Sequence, residues 1–162
     1  MTDSANFNDG GSRQYPHVIT TTVGASEFGT LSGSAAILDI ADIPMNGIVI
    51  DVSLAPETLF NGGGNDTIDI GIKADLNGDG DVGDTVQGLA ETDVDGLLVG
   101  TADNAGAVAA SGGARGVWVG RVMPYGGKVT AQYTAAAAGA TSGEVRVNIT
   151  YVVSGKTDTI YG

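Results

Sequence analysis

Residues 144–153, Glu144-Val145-Arg146-Val147-Asn148-Ile149-Thr150-Tyr151-Val152-Val153, alternate apolar and polar side chains. Val145, Val147, Ile149 and Tyr151 fall on one face and Arg146, Asn148 and Thr150 on the other, as in a strand with one wet side. Three stretches repeat the pattern. Ile48, Ile50, Val52 and Leu54 share a face in 47–54, Ile68, Ile70 and Ile72 in 67–73, and Val129, Ala131, Tyr133 and Ala135 in 128–135. Weaker strands are read at 18–23, 35–43, 96–100 and 116–123. Clusters of Gly, Asn, Asp and Ser separate them, which is the punctuation of hairpins rather than of helices. About eight short strands over roughly 140 residues predict an all-β fold: an antiparallel two-sheet, jelly-roll-like sandwich with a flexible N-terminal arm.

Nothing competes with that reading. The run Ala135-Ala136-Ala137-Ala138 favours helix, but Gly139 and Gly143 bracket it too closely, so it reads as the loop between the last two strands. No internal repeat and no linker divides the chain. Residues 1–16 are polar and rich in Gly, Asn and Asp, and are read as the arm; 17–155 form the sandwich and 156–162 a C-terminal tail.

The 162 residues suffice for one self-supporting core. With 27 Gly, 3 Phe, 1 Trp and no Cys, the composition disfavours helices and excludes disulfides, thiolate zinc sites, iron–sulfur clusters and a cysteine nucleophile. No apolar run reaches about 18 residues, and Met1-Thr2-Asp3-Ser4 lacks the basic-then-apolar layout of a signal peptide. The expectation is a chain that neither spans nor crosses a membrane and has no membrane partner. A net charge of −12 repels phosphate backbones, so nucleic acid is not an expected partner. The charge is uneven: residues 1–103 hold 17 acids and 2 bases, whereas 104–162 hold 2 acids and 5 bases. Solubility explains most of this, while Arg115, Arg121, Lys128, Arg146 and Lys156 are available to a carboxylate-rich partner or a neighbouring copy, Arg115 and Arg121 being the candidate contacts.

One stretch has the spacing of metal ligands. In Asp75-Leu76-Asn77-Gly78-Asp79-Gly80-Asp81-Val82-Gly83-Asp84, oxygen groups at Asp75, Asn77, Asp79 and Asp81 around Gly80 match positions 1, 3, 5 and 7 of a calcium loop. Alternate residues of such a loop turn inward together and give hard oxygens a common centre. Position 12 is Val86 instead of a bidentate Glu, which leaves Asp84, or Glu91 and Asp93 farther on, to close the shell. Asp75, Asn77, Asp79, Asp81 and Asp84 are thus candidate ligands for a structural calcium ion, against the alternative of a hydrated, empty hairpin tip.

Catalysis finds no support. The single histidine, His17, has no nucleophile signature near it. Gly126-Gly127-Lys128 lacks the first Gly of a phosphate loop and is followed by Val129, so it reads as a turn. Trp118, in Gly116-Val117-Trp118-Val119, is expected in a core or a subunit contact. The expectation is a protein that is not an enzyme.

The stretch Ile37-Leu38-Asp39-Ile40-Ala41-Asp42-Ile43-Pro44, followed by Gly47-Ile48-Val49-Ile50-Asp51-Val52, resembles a segment of small structural proteins of tailed-phage virions. The likeness continues through Asp93-Val94-Asp95-Gly96-Leu97-Leu98 to the Thr- and Ala-rich pair that ends in 143–153. It implies a jelly-roll head decoration, or cement, protein: one that binds the outside of the assembled capsid, commonly as a homotrimer, with the major capsid protein and its own copies as partners. Such a role implies synthesis in the host cytoplasm and a virion location on the capsid exterior, and it needs no cofactor; the Asp75–Asp84 loop, with its candidate structural calcium, is not expected of every member. Tyr15 and Pro16 of the arm and Ile160 and Tyr161 of the tail are the candidate contacts, as isolated aromatic and apolar residues in polar segments that order on binding. The competing readings are a tail, collar or fibre component of the same kind of particle, and a calcium-stiffened bacterial surface adhesin or carbohydrate-binding module.

Overall fold

The computed structural model describes residues 15–28, 36–62, 66–100, 114–135 and 139–154. Along them run β1 (His17–Gly24), a 3-10 turn (Ala25–Phe28), β2 (Ala36–Ile43), β3 (Gly47–Thr58) and β4 (Thr67–Ala74). There follow the short β5 (Thr85–Val86) and β6 (Leu89–Ala90), then β7 (Thr92–Leu98), β8 (Val122–Met123), β9 (Gly127–Thr134) and β10 (Glu144–Val153). Two four-stranded sheets form, in the orders β1-β10-β3-β8 and β2-β9-β4-β7, while β5 and β6 make a separate hairpin. All the pairings are antiparallel. Apart from that hairpin, the path changes sheet at every step except β4 to β7, the double Greek key of a jelly roll. The fold class expected from the alternation is the one found. Residues 1–14 of the expected arm and the tail 156–162 lie outside the described residues, as do 136–138 of the alanine run.

The core lies between the sheets. Central strands supply it: Val145, Val147 and Ile149 from β10, Ile68, Ile70 and Ile72 from β4, and Val129, Ala131 and Tyr133 from β9 are all buried. These are the faces the period-two pattern selects. At one end Tyr133 is flanked by Phe60, with ring centroids 5.4 Å apart, and by Phe28 at 5.7 Å. The aromatic cluster fills what β-branched residues leave open.

Three strands depart from expectation, the first being the one read at 96–100, which runs instead from Thr92 to Leu98 as β7. In β3 the ladder to β10 runs from Asp51 to Val49 and skips Ile50, a bulge that reverses the phase of everything before it. Leu54 still points inward, but Val49 rather than Ile48 enters the core. The strand read at 116–123 is confined to Val122–Met123. Before it the backbone turns: Arg121 N donates to Trp118 O at 3.1 Å, and Gly120 has φ +83°. Trp118 is nonetheless fully buried, its Nε1 donating to Ala90 O at 3.1 Å. This segment passes very close to β7. A Cβ on Gly116 would stand 2.1 Å from Gly96 O, so only glycine fits there.

Candidate functional site

The acidic loop joins β4 to β5 at the end of the sandwich where β2 turns into β3 and β8 into β9. Its carboxylates organise its backbone. Asp75 Oδ1 accepts from Asn77 N at 3.1 Å and Gly78 N at 2.5 Å, and Oδ2 accepts from Gly80 N at 2.9 Å. Desolvation pushes the Asp75 carboxyl up, but the N–H donors of Gly78, Gly80 and Asn77 outweigh it and hold the group below the usual carboxylate range. Asp79 Oδ1 accepts from Asp81 N at 2.8 Å, and Asp81 Oδ1 from Val82 N at 2.6 Å and Gly83 N at 3.0 Å. The Asn77 amide reaches Asp79 Oδ2 at 3.0 Å and Asp84 Oδ2 at 3.1 Å. Of the five candidate calcium ligands the fold therefore joins Asn77, Asp79 and Asp84 side by side, while Asp75 and Asp81 cap neighbouring N–H groups. Among the described residues no three Asp, Glu or His side chains converge as a ready metal cage.

Glu91, fully buried, accepts from Leu76 N at 2.6 Å through Oε1 and from Asp84 N at 3.2 Å through Oε2, pinning both ends of the loop with one side chain. The sequence offers Glu91 as a residue to complete the loop's shell; that it accepts from the backbone at both ends of the loop is visible only in the fold. Asp93 belongs elsewhere: it shares a hydrogen bond with Asp95, whose charge also acts on Asp69. Desolvation raises the Asp93 carboxyl, as does the hydrogen bond it shares with Asp95, and desolvation likewise raises Asp69.

The candidate contact residues are dispersed. Arg115 Nη2 pairs with Asp51 Oδ1 at 2.7 Å, and its Nη1 lies 3.4 Å from the carbonyl of the bulged Ile50. Arg121 Nε donates to Val117 O at 3.0 Å. Tyr15 and Pro16 are exposed just ahead of β1. Ile160 and Tyr161 lie outside the described residues.

The sheet edges differ sharply in protection. At β7 the segment 114–118 adds further bonds, Val99 N to Ala114 O at 2.9 Å and Trp118 N to Gly96 O at 2.8 Å, which extend the sheet past its last strand. Edge strand β8 has only two residues. Edge strand β2 is interrupted by a register shift between Asp39 and Ala41 and carries the charges of Asp39 and Asp42. By contrast β1, His17-Val18-Ile19-Thr20-Thr21-Thr22-Val23-Gly24, pairs with β10 over eight residues without a break and holds no acid, Lys, Arg or Pro. Charges, bulges and short length are the usual protection of an edge, and among the described edge strands β1 alone has none of them. Val18 is 64% exposed and Tyr15 is 65% exposed.

No family model matches the chain, and neither does any curated protein. Among solved structures, a cyanophage Pam1 capsid asymmetric unit aligns over 86% of this chain and 86% of that one, at 17% identity and a TM-score of 0.49. That likeness is too slight to carry weight.

Proposed function

We propose that this chain is a structural protein of a phage virion, a decoration protein that docks on the outside of the assembled head through its β1 edge. The observation that carries the reading is the unguarded edge itself. Eight residues of uncharged, Thr- and Val-rich strand, led by the exposed Tyr15 and Pro16, form an edge that no other described strand covers and that fits an extended segment of a capsid subunit. The jelly-roll path and the resemblance of 37–52 to phage virion proteins support the same role. No reaction is needed for it. A protein that binds only the assembled lattice stabilises that lattice by mass action, and several contacts made at once multiply a modest affinity. Homotrimers provide such multiplicity. The acidic surface fits an exterior position, where it does not compete for a packaged genome.

Co-sedimentation with assembled heads of the phage that encodes the chain is the test. The protein should travel with heads and not with tails or unassembled subunits, and a solution mass of three times 16.1 kDa should accompany it. Val18→Lys puts a charge on the edge and should weaken head binding at least about tenfold, or about 1.4 kcal/mol, without unfolding the sandwich. Undiminished binding by that variant would remove the β1 edge from the interface. Recovery of the protein in the tail fraction would overturn the decoration role.

A further inference from the structure

Among the described lysines and arginines, all but one are ion-paired: Lys73 with Asp39, Arg115 with Asp51, Lys128 with Asp39 and Asp42, and Arg146 with Glu57. Arg121 is the exception, in a chain whose acids outnumber its lysines and arginines 19 to 7. Its exposed side chain is held in place. Nε donates to Val117 O at 3.0 Å, which leaves the N–H groups of Nη1 and Nη2 without a protein acceptor among the described residues. The backbone beneath is fixed as well: Arg121 N donates to Trp118 O at 3.1 Å and Gly120 N to Val49 O at 2.8 Å, so the turn hangs on the buried Trp118 and on β3.

Arg121 lines a groove of about 400 Å³ between β8 and the β5–β6 hairpin. The walls are aliphatic: Val122, 42% exposed, and Pro124 come from one side, Val86 and Leu89 from the other. The hairpin wall is set as firmly as the arginine wall. Val86 pairs with Leu89 around the two-residue turn Gln87-Gly88, whose φ values are both positive, +52° and +80°, as a type I′ hairpin turn requires. At the hairpin's base Glu91 N donates to Asp84 O at 3.0 Å. The exposed Gln87 also lines the groove, and its amide offers a donor and an acceptor there.

We propose that this groove binds an extended segment of a partner protein that carries an Asp or Glu beside aliphatic residues. The carboxylate takes two parallel N–H bonds from Nη1 and Nη2 of Arg121, a flanking aliphatic side chain lies between Val122 and Leu89, and the Gln87 amide meets the segment's backbone. A carboxylate suits the site better than a phosphate. One cation balances one charge, and the acidic loop, whose Leu76 also lines the groove, opposes a dianion more strongly than a monoanion. The aliphatic walls favour a peptide over a free anion, because a bare ion gains nothing from covering them. Walls set in advance leave little to be ordered on binding. In their sheet β8 and β1 are opposite edges, so this contact is separate from the one at β1 and does not rest on the capsid reading.

Methyl NMR of the full chain labelled at Leu and Val tests it, with a capped Leu-Asp-Leu tripeptide and its Leu-Asn-Leu counterpart as probes. The Asp peptide should shift Val86, Leu89 and Val122 and leave the buried Val129 and Val145 in place. The Asn peptide should bind at least about threefold more weakly, the scale of an exposed ion pair. Arg121→Gln should abolish that discrimination, and Arg121→Lys, which keeps the charge without the fork, should retain only part of it. Unmoved Val129 and Val145 signals verify that each variant is folded, and the comparison of the two peptides on the parent protein needs no variant at all. No shift from either peptide, equal binding of both by the parent protein, or discrimination that survives Arg121→Gln overturns the proposal. So do the same shifts produced by inorganic phosphate, which make the groove a simple anion site. A Val122 signal that depends on protein concentration before peptide is added places a second copy in the groove and overturns it too.

Discussion

Tyr133 and Asp66 meet at 2.6 Å in the interior of the sandwich, the phenol hydroxyl donating to Asp66 Oδ2 while accepting from Ala140 N at 3.2 Å. Both residues are buried, and the pair links the loop before β4 to the loop before β10 across the aromatic cluster. Tyr133→Phe keeps the ring and deletes both bonds. The expected cost is about 1–3 kcal/mol, or roughly 2–10 °C in melting temperature for a chain of this length, read by thermal unfolding. Burial, then the Asp66 carboxylate, pushes the Tyr133 hydroxyl up from 10.0 to about 12. A raised pKa contributes stability that is complete below pH 10 and is lost as pH rises toward 12. That alkaline loss should be smaller in the Phe variant.

Asp93 works in the opposite sense to a stabilising carboxylate. Its folded-state pKa is raised, so the folded protein binds the proton more tightly than the unfolded chain does, and stability from this group grows as pH falls through the raised value. At neutral pH the charged form is a burden beside Asp95. Asp93→Asn should therefore raise stability at pH 7 by about 0.5 kcal/mol, the scale of relieving a like-charge pair on a half-exposed sheet face. Urea titrations at pH 7 and pH 4 would check it: the gain should shrink at the lower pH.

Glu91 pins the acidic loop through two accepted N–H bonds. In Glu91→Gln one of its two acceptor oxygens becomes a donor and faces an N–H. The expected loss is about 1–3 kcal/mol, as for a buried polar group left without its partner. Limited proteolysis should then cut within 76–84 faster than in the parent protein, with cleavage elsewhere changed less. Equal cleavage rates would show that the loop holds its shape without Glu91.

Calcium is decided separately. The loop's carboxylates already accept bonds from backbone N–H groups or the Asn77 amide, and this arrangement predicts that a chelator leaves the melting temperature unchanged within about 1 °C, a small fraction of a kcal/mol. Calcium titration by calorimetry should likewise release no heat of specific binding. A fall of several degrees in chelator that Asp79→Ala abolishes would establish the ion expected from the ligand spacing.

Strand identity was legible because alternation is local. Where one face of β10, β4 or β9 meets a core and the other meets water or charged side chains, each residue declares its side, and 144–153 is a strand with those same bounds in the fold. The bulge at Ile50 was not legible. Four alternating aliphatic residues look like one face whether or not the ladder skips a partner, and only pairing with β10 reveals the skip. Trp118 was legible as buried but not as part of a turn, since the turn exists because Gly116 and Gly96 touch, twenty residues apart.

The candidate site divides in the same way. Composition and spacing alone determined that the chain is a β-sandwich with an oxygen-rich loop and no cysteine chemistry, because those are properties of residue types and short intervals. Tertiary structure alone decided that Glu91 holds the loop, that Arg115 is occupied by Asp51 and Ile50, and that Met45 and Tyr125 share a groove. It also decided that β1 is, among the described strands, the edge without a charge or a bulge. An edge is defined by which neighbour is missing, and that depends on how eight strands from distant parts of the chain are shared between two sheets.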